Sequence, residues 1–312
     1  MEATTHPLSL RVRTYLREMF PVFTYLPYVI ALYACLNFSA QALSGGGIVI
    51  DIHAIVGMIS AFFWMLLMRT FDDLKDFDLD KDLFPWRATA RGAVLRGDIV
   101  KVSWLSFLVL VATNVALGQD TLLVFGLVML YCLGTFQWFG FEKFHREHIY
   151  FTMVTHQPIP YSINLFLIYT GLASGPEMSA FTWNHFYLLL IFSLPVTAWE
   201  VSRKIRGVGH ETHYETFSLL LGARTAAIIP LVALLGAAGL SVHIAGYLEL
   251  HSTCYYNIAA LVVVMAVFYV RFLLSPTKKN NVLTKVAMAY TSLLFVNVVV
   301  HIVLITPISV AL

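Results

Sequence analysis

The chain has 312 residues, of which 59% are hydrophobic and only 12% are charged. Soluble globular domains are about 45–50% apolar and about 25% charged, so one core cannot bury this apolar excess. The composition therefore excludes a soluble globular enzyme, a disordered chain and a nucleic-acid-binding protein. It predicts a helical membrane protein that crosses the lipid bilayer several times. The net charge of +2 indicates no partner by itself.

Nine segments are apolar over the length of about twenty residues that is needed to cross the hydrocarbon. A long apolar stretch follows an arginine-containing arm without an evident cleavage site, which favours a first spanning helix over a signal peptide. Lipid requires internally closed backbone hydrogen bonds, so each segment is predicted to be a helix. The predicted spans are 20–43, 48–70, 98–117, 120–141, 157–174, 182–203, 223–243, 253–275 and 284–309.

The cations follow this count of nine helices. All 20 Lys and Arg residues lie in the N-terminal arm or in and beside the loops after helices two, four, six and eight, and the opposite loops have none. The positive-inside rule then predicts a cytoplasmic N-terminus. The two longest polar stretches, 71–97 and 200–222, both fall on this side. We therefore expect one membrane domain over 1–312, with two related halves (helices one to four and five to eight) and a ninth helix.

The first polar stretch contains Asp72, Asp76 and Asp80 at a spacing of four residues. If helix two continues through it, these carboxylates form one stripe whose like charges repel. A cation between the carboxylates relieves that repulsion, and carboxylates completed by phosphate oxygens and water are the usual ligands of Mg²⁺. The alternative is a solvated acidic loop that only covers the membrane edge.

Three arginines follow these acids at once. Arg87, Arg91 and Arg96 have guanidinium groups that pair bidentately with phosphate oxygens. Carboxylates with a metal and neighbouring arginines are typical of a diphosphate site. The alternative explanation for the arginines is the positive-inside rule, which needs no substrate.

The acidic segment resembles the first signature of the UbiA superfamily of intramembrane prenyltransferases. That signature runs Asn-x-x-x-Asp-x-x-x-Asp, followed by Pro-x-Arg-Pro and a Gly. Ala88 replaces the second Pro here. Six positions match or nearly match without gaps: Asp72 (in the Asn position), Asp76, Asp80, Pro85, Arg87 and Gly92. Nine helices with polar loops after helices two and six also resemble the family, which implies an all-α, UbiA-like bundle.

The second polar stretch departs from the family pattern of three Asp residues spaced by four, then Thr and Gly. Glu200, Lys204 and Val208 occupy the Asp positions, and Thr216 and Gly222 fit the tail if one residue is inserted. A divergent branch resembling the superfamily has similar endings. The family's second motif normally helps to bind a second Mg²⁺, and this chain keeps one carboxylate there and gains an ammonium.

Two interpretations of this stretch stay open. In one, Glu200 ligates metal while Lys204, with Arg203, contacts the diphosphate. In the other, Glu200 and Lys204 only form an ion pair one helical turn apart, worth about 0.3–0.5 kcal/mol when exposed.

Further polar residues are candidates for binding. Lys143 and Arg146, after helix four, are candidates for phosphate contact, although the positive-inside rule explains them equally well. His156, Gln157, Tyr161 and Asn164 lie at the start of helix five, where they line a pocket or bond to a neighbouring helix. Aromatic faces stabilise carbocations, but belts and packing explain most aromatics in membrane proteins. Those near the motifs are Trp64, Trp138, Phe141, Tyr161, Phe166 and Trp199, and Trp199 is also a candidate for the same pocket.

Two groups of residues are expected to be structural. Asn297 and His301, one turn apart in helix nine, are predicted to link helices. Cys35, Cys132 and Cys254 are scattered in apolar segments without metal-ligand spacing, which predicts buried thiols.

The resemblance implies a Mg²⁺-dependent enzyme that ionises an allylic isoprenyl diphosphate (C10–C20 or longer). Asp72, Asp76, Asp80 and Glu200 would hold metal. Arg87, Arg91, Lys143, Arg203 and Lys204 would bind diphosphate. The prenyl group would pass to a lipophilic, aromatic acceptor, and the alternative is a terpene cyclase of the same fold. A transporter is disfavoured because the charges sit at the helix ends. The predicted location is the plasma (inner) membrane, with the site on the cytoplasmic side.

Overall fold

The computed structural model describes residues 6–117, 119–174, 177–211 and 217–311, and these residues are predominantly helical. In chain order the helices are α1 (Leu8–Glu18), α2 (Val22–Leu43), α3 (Ile52–Lys75), α4 (Leu79–Leu83), α5 (Arg96–Ala116), α6 (Gln119–Phe136), α7 (Glu142–Glu147), α8 (Ile149–His156), α9 (Pro158–Leu172), α10 (Trp183–Arg203), α11 (Phe217–Leu221), α12 (Ala223–Tyr247), α13 (Ser252–Leu274) and α14 (Leu283–Ile305). Two short strands are β1 (Ile48–Ile50) and β2 (Ile308–Val310).

Seven of these helices are long and apolar enough to cross a membrane, counting only the described residues: α2, α3, α5, α10, α12, α13 and α14. They occupy seven of the nine predicted spans. The chain is therefore a multi-pass integral membrane protein. The fourth and fifth predicted spans contain the shorter helices α6 and α9, so the count of nine spans stays a prediction, as does the orientation of the N-terminus.

Three predicted boundaries are wrong. Residues 48–50 and 308–310 are strands and not helix ends, and they pair in parallel with Ile48 opposite Ile308. The fourth segment does not continue as a helix to residue 141, because α6 ends at Phe136 and a single 3₁₀ turn follows at Trp138–Gly140. Hydropathy cannot distinguish these short elements from the helices that they adjoin.

The packing divides the chain into two compact units. The first contains the described residues of Met1–Tyr33 and Asp51–Glu147, and the second contains those of Ala34–Ile50 and His148–Leu312. Helix α2 therefore contributes its first half to one unit and its second half to the other.

In the first unit, an apolar core joins α1, α3 and α5. Its buried members are Tyr15, Met19, Phe20, Leu66, Leu74, Ala88, Val94, Ile99 and Val102. Ion pairs fasten α1 at the edge of this core. Arg11 donates to both carboxylate oxygens of Asp98 at 2.7 and 2.8 Å, and Asp98 also accepts from the backbone N–H of Leu95 at 3.0 Å, just before α5. Helix α1 is thereby fixed to the start of α5.

In the second unit, α10 packs against α9, α12 and α14. Polar side chains join α13 to α14: Asn257 donates to Asn297 at 2.8 Å, and Thr253 and His301 share a hydrogen bond of 2.9 Å. This confirms that Asn297 and His301 link helices. The prediction of buried thiols is also confirmed, because Cys35, Cys132 and Cys254 are free and buried.

The strand β1 follows a turn at Gly45, whose φ of +79° favours glycine. The β-branched residues Ile48, Val49 and Ile50 suit extended backbone. The side chain of Gln41 fixes the strand, because its amide accepts from the N–H of Val49 at 2.7 Å and donates to the carbonyl of Val49 at 3.1 Å.

The close packing of α9 against the second half of α2 depends on Gly171. A Cβ there would lie 2.8 Å from the carbonyl oxygen of Asn37 and 3.1 Å from the Cβ of Ala40. We predict that Gly171→Ala destabilises the detergent-purified protein by about 1–3 kcal/mol through overpacking, measured by thermal unfolding. Gly239→Ala in α12 is the matched control, because nothing lies within 4 Å of its added Cβ. A Gly171→Ala variant as stable as this control would contradict the prediction.

Candidate functional site

The acidic segment surrounds the end of α3. The helix ends at Lys75, and Asp76 is its C-terminal cap. The backbone still closes two further turns, because the N–H of Asp76 bonds to the carbonyl of Asp72 at 2.9 Å and that of Asp80 to the carbonyl of Asp76 at 2.8 Å. The premise that helix two continues through all three acids is therefore wrong: Asp80 belongs to the separate helix α4.

Three acids of this segment have cationic partners. Asp80 is buried and accepts from Arg87 at 2.6 Å. Asp73 is buried and lies 2.8 Å from Arg69. Asp78 is exposed and pairs with Lys81 at 2.7 Å, which holds the pKa of this carboxyl below its usual value.

Asp72 and Asp76 are the exceptions. Among the described residues, neither carboxylate has a hydrogen bond or an ion pair of its own. Burial raises the pKa of Asp76, and the charge of Asp80 raises it further. Both acids also lie at the helix C-terminus, where the macrodipole disfavours negative charge. The end of α3 therefore presents two carboxylates, one turn apart, that form no ion pair within the described part of the chain.

The role of Asp73 was missed by the sequence analysis. Its second oxygen accepts a 2.8 Å hydrogen bond from Tyr15, whose side chain is buried in the core on α1. Burial and the charge of Asp73 raise the pKa of Tyr15 above its usual value, so the phenol stays protonated. Tyr15 and Arg69 thus hold Asp73, which directly follows Asp72 in the sequence. No local pattern reveals a partner 58 positions away.

The predicted diphosphate-binding arginines of the first motif differ in their availability. Arg87 stacks on Phe84 at 4.1 Å while it pairs with Asp80. Arg91 pairs with both oxygens of Glu18 at 2.8 and 3.0 Å, which lowers the pKa of that carboxyl. Arg91 therefore fastens α1 in this structure, and Arg87 lies nearer to the acidic segment.

A strained turn brings further cations to the end of α3. Trp138 and Phe139 both adopt left-handed backbone conformations, with φ of 52° and 49°, which cost about 1–2 kcal/mol per non-glycine residue. The ammonium of Lys75 lies 3.7 Å from the centroid of the Trp138 ring, and the guanidinium of Arg146 lies 5.2 Å from it. The charges of Lys75 and Arg146 both act on Asp76.

Lys143 is placed differently from Arg146. It lies on α7 with 89% of its side chain exposed, and its ammonium is 3.9 Å from Glu147. The cation of this segment that acts on the acids is therefore Arg146, and the structure does not bring Lys143 into that group.

The second motif lies at the end of α10, in the other unit. Glu200 pairs with Arg203 through both carboxylate oxygens, one of them at 2.7 Å. Lys204, the C-terminal cap of α10, lies 3.1 Å from the same carboxylate. One carboxylate is thus shared by two cations, so this helix end carries excess positive charge. The ion pair of the second interpretation is present.

The segment after α10 packs closely against residues of its own unit. The carbonyl of Ile205 accepts from Asn281 at 2.9 Å, and the N–H of Val208 donates to the carbonyl of Pro276 at 2.9 Å. A Cβ on Gly207 would lie 2.5 Å from the backbone nitrogen of Lys278, so this close approach of two backbones requires glycine. Thr216, matched to the family pattern above, lies outside the described residues.

The predicted pocket residues of the fifth segment bond mainly to α10. Gln157 and Tyr161 both bond to the hydroxyl of Thr197, at 2.8 and 2.9 Å. Asn164 is buried and donates to Ser193 at 3.0 Å. His156 instead bonds to the carbonyl of Thr152 in its own helix at 3.0 Å. The structure therefore supports helix-to-helix bonding by three of the four.

The candidate aromatic residues differ in their burial and in their contacts with cations. Trp64 and Phe166 are buried completely in the packed interior, whereas Phe141 is 67% exposed. Trp199 lies 5.4 Å from the guanidinium of Arg203. Trp138 and Trp199 are thus the tryptophans that contact cations near the two motifs.

The available side chains limit the number of protein ligands that a metal ion could have. Among the residues that the structure describes, no group of three or more His, Cys, Asp or Glu side chains is arranged to hold a metal ion. Asp72 and Asp76 can supply two carboxylates, and a cation there would complete its coordination with ligands from outside the protein, as Mg²⁺ commonly does.

The unequal pairing of the acids has a measurable effect on stability. We predict that Asp76→Asn leaves the metal-free protein as stable as wild type or stabilises it by about 0.3–1 kcal/mol, because it removes an unpaired charge at a helix C-terminus. Asp80→Asn should destabilise the protein by about 1–3 kcal/mol, because it leaves Arg87 without its buried partner. Thermal unfolding in detergent with EDTA measures both, and equal destabilisation by the two variants would contradict the prediction.

Comparison with known proteins identifies the fold. No protein-family model matches the sequence, and no curated protein matches it. Two solved structures match along nearly their whole length. One is a digeranylgeranylglyceryl phosphate synthase, with a TM-score of 0.68 at 15% identity, covering 95% of this chain and 99% of that one. The other is a UbiA homolog from Aeropyrum pernix K1, with a TM-score of 0.65 at 17% identity, covering 88% and 98%. The structural neighbours are thus UbiA-family prenyltransferases, and the chain shares the fold of these two membrane proteins.

Proposed function

We propose that this protein is a Mg²⁺-dependent intramembrane enzyme that ionises an allylic isoprenyl diphosphate and transfers the prenyl group to a lipophilic, aromatic acceptor. The observation that carries the proposal is the pairing at the end of α3. Asp73, Asp78 and Asp80 have cationic partners, whereas Asp72 and Asp76 have none in the described chain. These two residues occupy the first two metal-ligand positions of the UbiA signature.

The residues present fit one Mg²⁺ ion. Asp72 and Asp76 would hold it with their carboxylate oxygens, which are the hard ligands that this ion prefers. When bound, the ion would supply positive charge to the leaving diphosphate. Asp80 is less suited to this role than the family pattern implies, because Arg87 already occupies its carboxylate at 2.6 Å.

Fixed cations of the chain would bind the diphosphate oxygens. Arg87 uses one nitrogen for Asp80 and stacks on Phe84, so its other N–H groups can donate to phosphate. Arg146 would contribute from α7. Such pre-positioned donors stabilise the charge that develops on the leaving group without reorganising.

The second motif does not fit a second Mg²⁺ ion in the same way. Arg203 and Lys204 already neutralise Glu200, so a divalent cation would have to displace them. We propose instead that Lys204, with Arg203, binds the diphosphate directly. In this proposal the protein uses a fixed ammonium where the family pattern has a carboxylate.

The proposed reaction needs only the prenyl diphosphate and the acceptor as reactants. The allylic C–O bond breaks, the diphosphate leaves with the electron pair, and the acceptor's nucleophilic carbon or oxygen attacks the allylic cation and loses a proton. Apolar helices that exclude water protect this cation. In the alternative, the prenyl chain's own double bond attacks, giving a terpene cyclase; the altered second motif of Glu200, Lys204 and Val208 is the feature that favours it.

The decisive variant of the first motif is Asp76→Asn. We predict that it lowers Mg²⁺-dependent pyrophosphate release from C10, C15 or C20 prenyl diphosphates by at least about 100-fold, on the scale of removing one charge-stabilising group. Asp78→Asn is the matched control, because Asp78 is an exposed acid of the same segment that pairs only with other surface groups. Full activity of Asp76→Asn would refute the metal assignment.

The products of the same assay separate the two reactions. Each diphosphate is incubated with Mg²⁺ and no acceptor, and the extract is analysed by mass spectrometry. The proposal expects unchanged substrate or slow hydrolysis to the linear alcohol. A cyclic hydrocarbon or cyclic alcohol would establish the cyclase instead. No Mg²⁺-dependent turnover with any prenyl diphosphate, with or without aromatic acceptors, would contradict both.

The second motif is tested by charge reversal. We predict that Lys204→Asp lowers kcat/KM for the prenyl diphosphate by more than about tenfold, because a charge-assisted contact becomes repulsive. Lys279→Asp, which changes an exposed lysine of the same unit, should alter it less than about twofold. Equal effects of the two variants would mean that Lys204 acts only through the general surface charge.

A further inference from the structure

Lys75 poses a problem for any cation site at the end of α3. It follows Asp72 by three residues and directly precedes Asp76, and side chains three positions apart on a helix are within reach of each other. An ammonium that paired with these carboxylates would compete with a metal ion for the same oxygens. The inference below rests on the proposed metal site and concerns how the protein prevents this competition.

The ammonium of Lys75 contacts other groups directly, although its charge also acts on Asp76. Its Nζ lies 3.7 Å from the centroid of the Trp138 ring and donates to the carbonyl of Thr135 at 3.2 Å. The indole face and the carbonyl both attract a cation without carrying a formal counter-charge. Meanwhile no ion pair within the described residues engages Asp72 or Asp76.

The backbone that presents Trp138 is built for one conformation. Trp138, Phe139 and Gly140 follow each other in the left-handed region, which two aromatic residues adopt only where the surroundings determine it. Gly134 provides that surrounding, because a Cβ there would lie 2.7 Å from the ring of Phe139. The ring of Phe139 thus packs against Gly134, where a larger residue would clash with it, and the turn fixes the adjacent indole.

We propose that Trp138 is a positioning residue that holds Lys75 away from the Asp72–Asp76 pair and thereby keeps the pair open to a divalent cation. The charge of Lys75 remains near the site, where it adds to the attraction for a bound diphosphate. Without the indole, the flexible ammonium moves to the stronger, charged acceptors and competes with the metal ion.

The test is a double-mutant cycle on metal binding, with Mn²⁺ as the probe for the divalent site. Free Mn²⁺ is measured by electron paramagnetic resonance on detergent-purified wild type, Trp138→Leu, Lys75→Met and the double variant. We expect Trp138→Leu to weaken Mn²⁺ binding about tenfold, because one competing charge moves to the site. Lys75→Met should bind Mn²⁺ at least as tightly as wild type. The double variant should return to within about twofold of Lys75→Met.

Rescue by Lys75→Met separates positioning from a general structural role, because a distorted site would stay weak in the double variant. A double variant as weak as Trp138→Leu, or a Trp138→Leu variant with wild-type affinity, overturns the inference. If Trp138→Leu does not fold, the same cycle uses Trp138→Phe, whose weaker cation–π attraction predicts about a threefold loss with the same rescue.

The same data distinguish this inference from the proposed function. Asp72→Asn/Asp76→Asn sets the background for non-specific binding. Wild-type protein that binds no Mn²⁺ above this background overturns the proposed metal site and the inference together. If Asp72→Asn/Asp76→Asn abolishes Mn²⁺ binding but Lys75→Met does not rescue Trp138→Leu, the inference alone is overturned and the proposed metal site stands.

Discussion

The charge balance at the end of α3 is the constraint on which this site depends. A membrane protein with few charges concentrates five aspartates within nine positions there, and the low dielectric makes each unpaired carboxylate costly. Tyr15, Arg69 and Arg87 neutralise or bond those that are buried. Lys81 pairs with the exposed Asp78. The two acids that remain, Asp72 and Asp76, stand at the first two of the three acidic positions that match the UbiA signature. The two acids without an ion pair are thus the ones for which we propose a metal ion, and such a loss of stability is common at functional sites.

The architecture was largely predictable from the sequence, because apolar length is a strong signal in a protein that must close its backbone hydrogen bonds in lipid. The short elements were not. Ile48–Ile50 follows three glycines, a signal of a turn and strand, but its apolar residues merge with those of α3. No Gly or Pro stands at the end of α3 near Lys75, so the sequence contains no signal that the helix stops there. The regular spacing of the acids therefore predicts one continuous helix where the structure has α3 and α4.

The site was predictable in its residue types and less so in its pairing. The motif named Asp72, Asp76 and Arg87, but only three-dimensional contacts separate the paired acid Asp80 from the unpaired ones. The role of Asp73, and the contact of the candidate aromatic Trp138 with a cation, could not be predicted for the same reason: their partners, Tyr15 and Lys75, are distant in sequence. In the second motif, the loss of acids was visible in the sequence, whereas the engagement of Glu200 by both neighbouring cations required the structure.

The pairing of β1 with β2 bears on the order in which the chain is made. These strands are three residues each, and their partners lie 260 positions apart, from Ile48 to Ile308. All the described residues of the first unit come from the first 147 positions, whereas the second unit combines Ala34–Ile50, which lies between the two segments of the first unit, with His148–Leu312. During synthesis on the ribosome, the first unit can assemble while β1 is still unpaired, because its partner β2 is made only after the last spanning helix. Membrane insertion of the early helices therefore precedes closure of the second unit, and the interval is set by translation speed, about 5–20 residues per second.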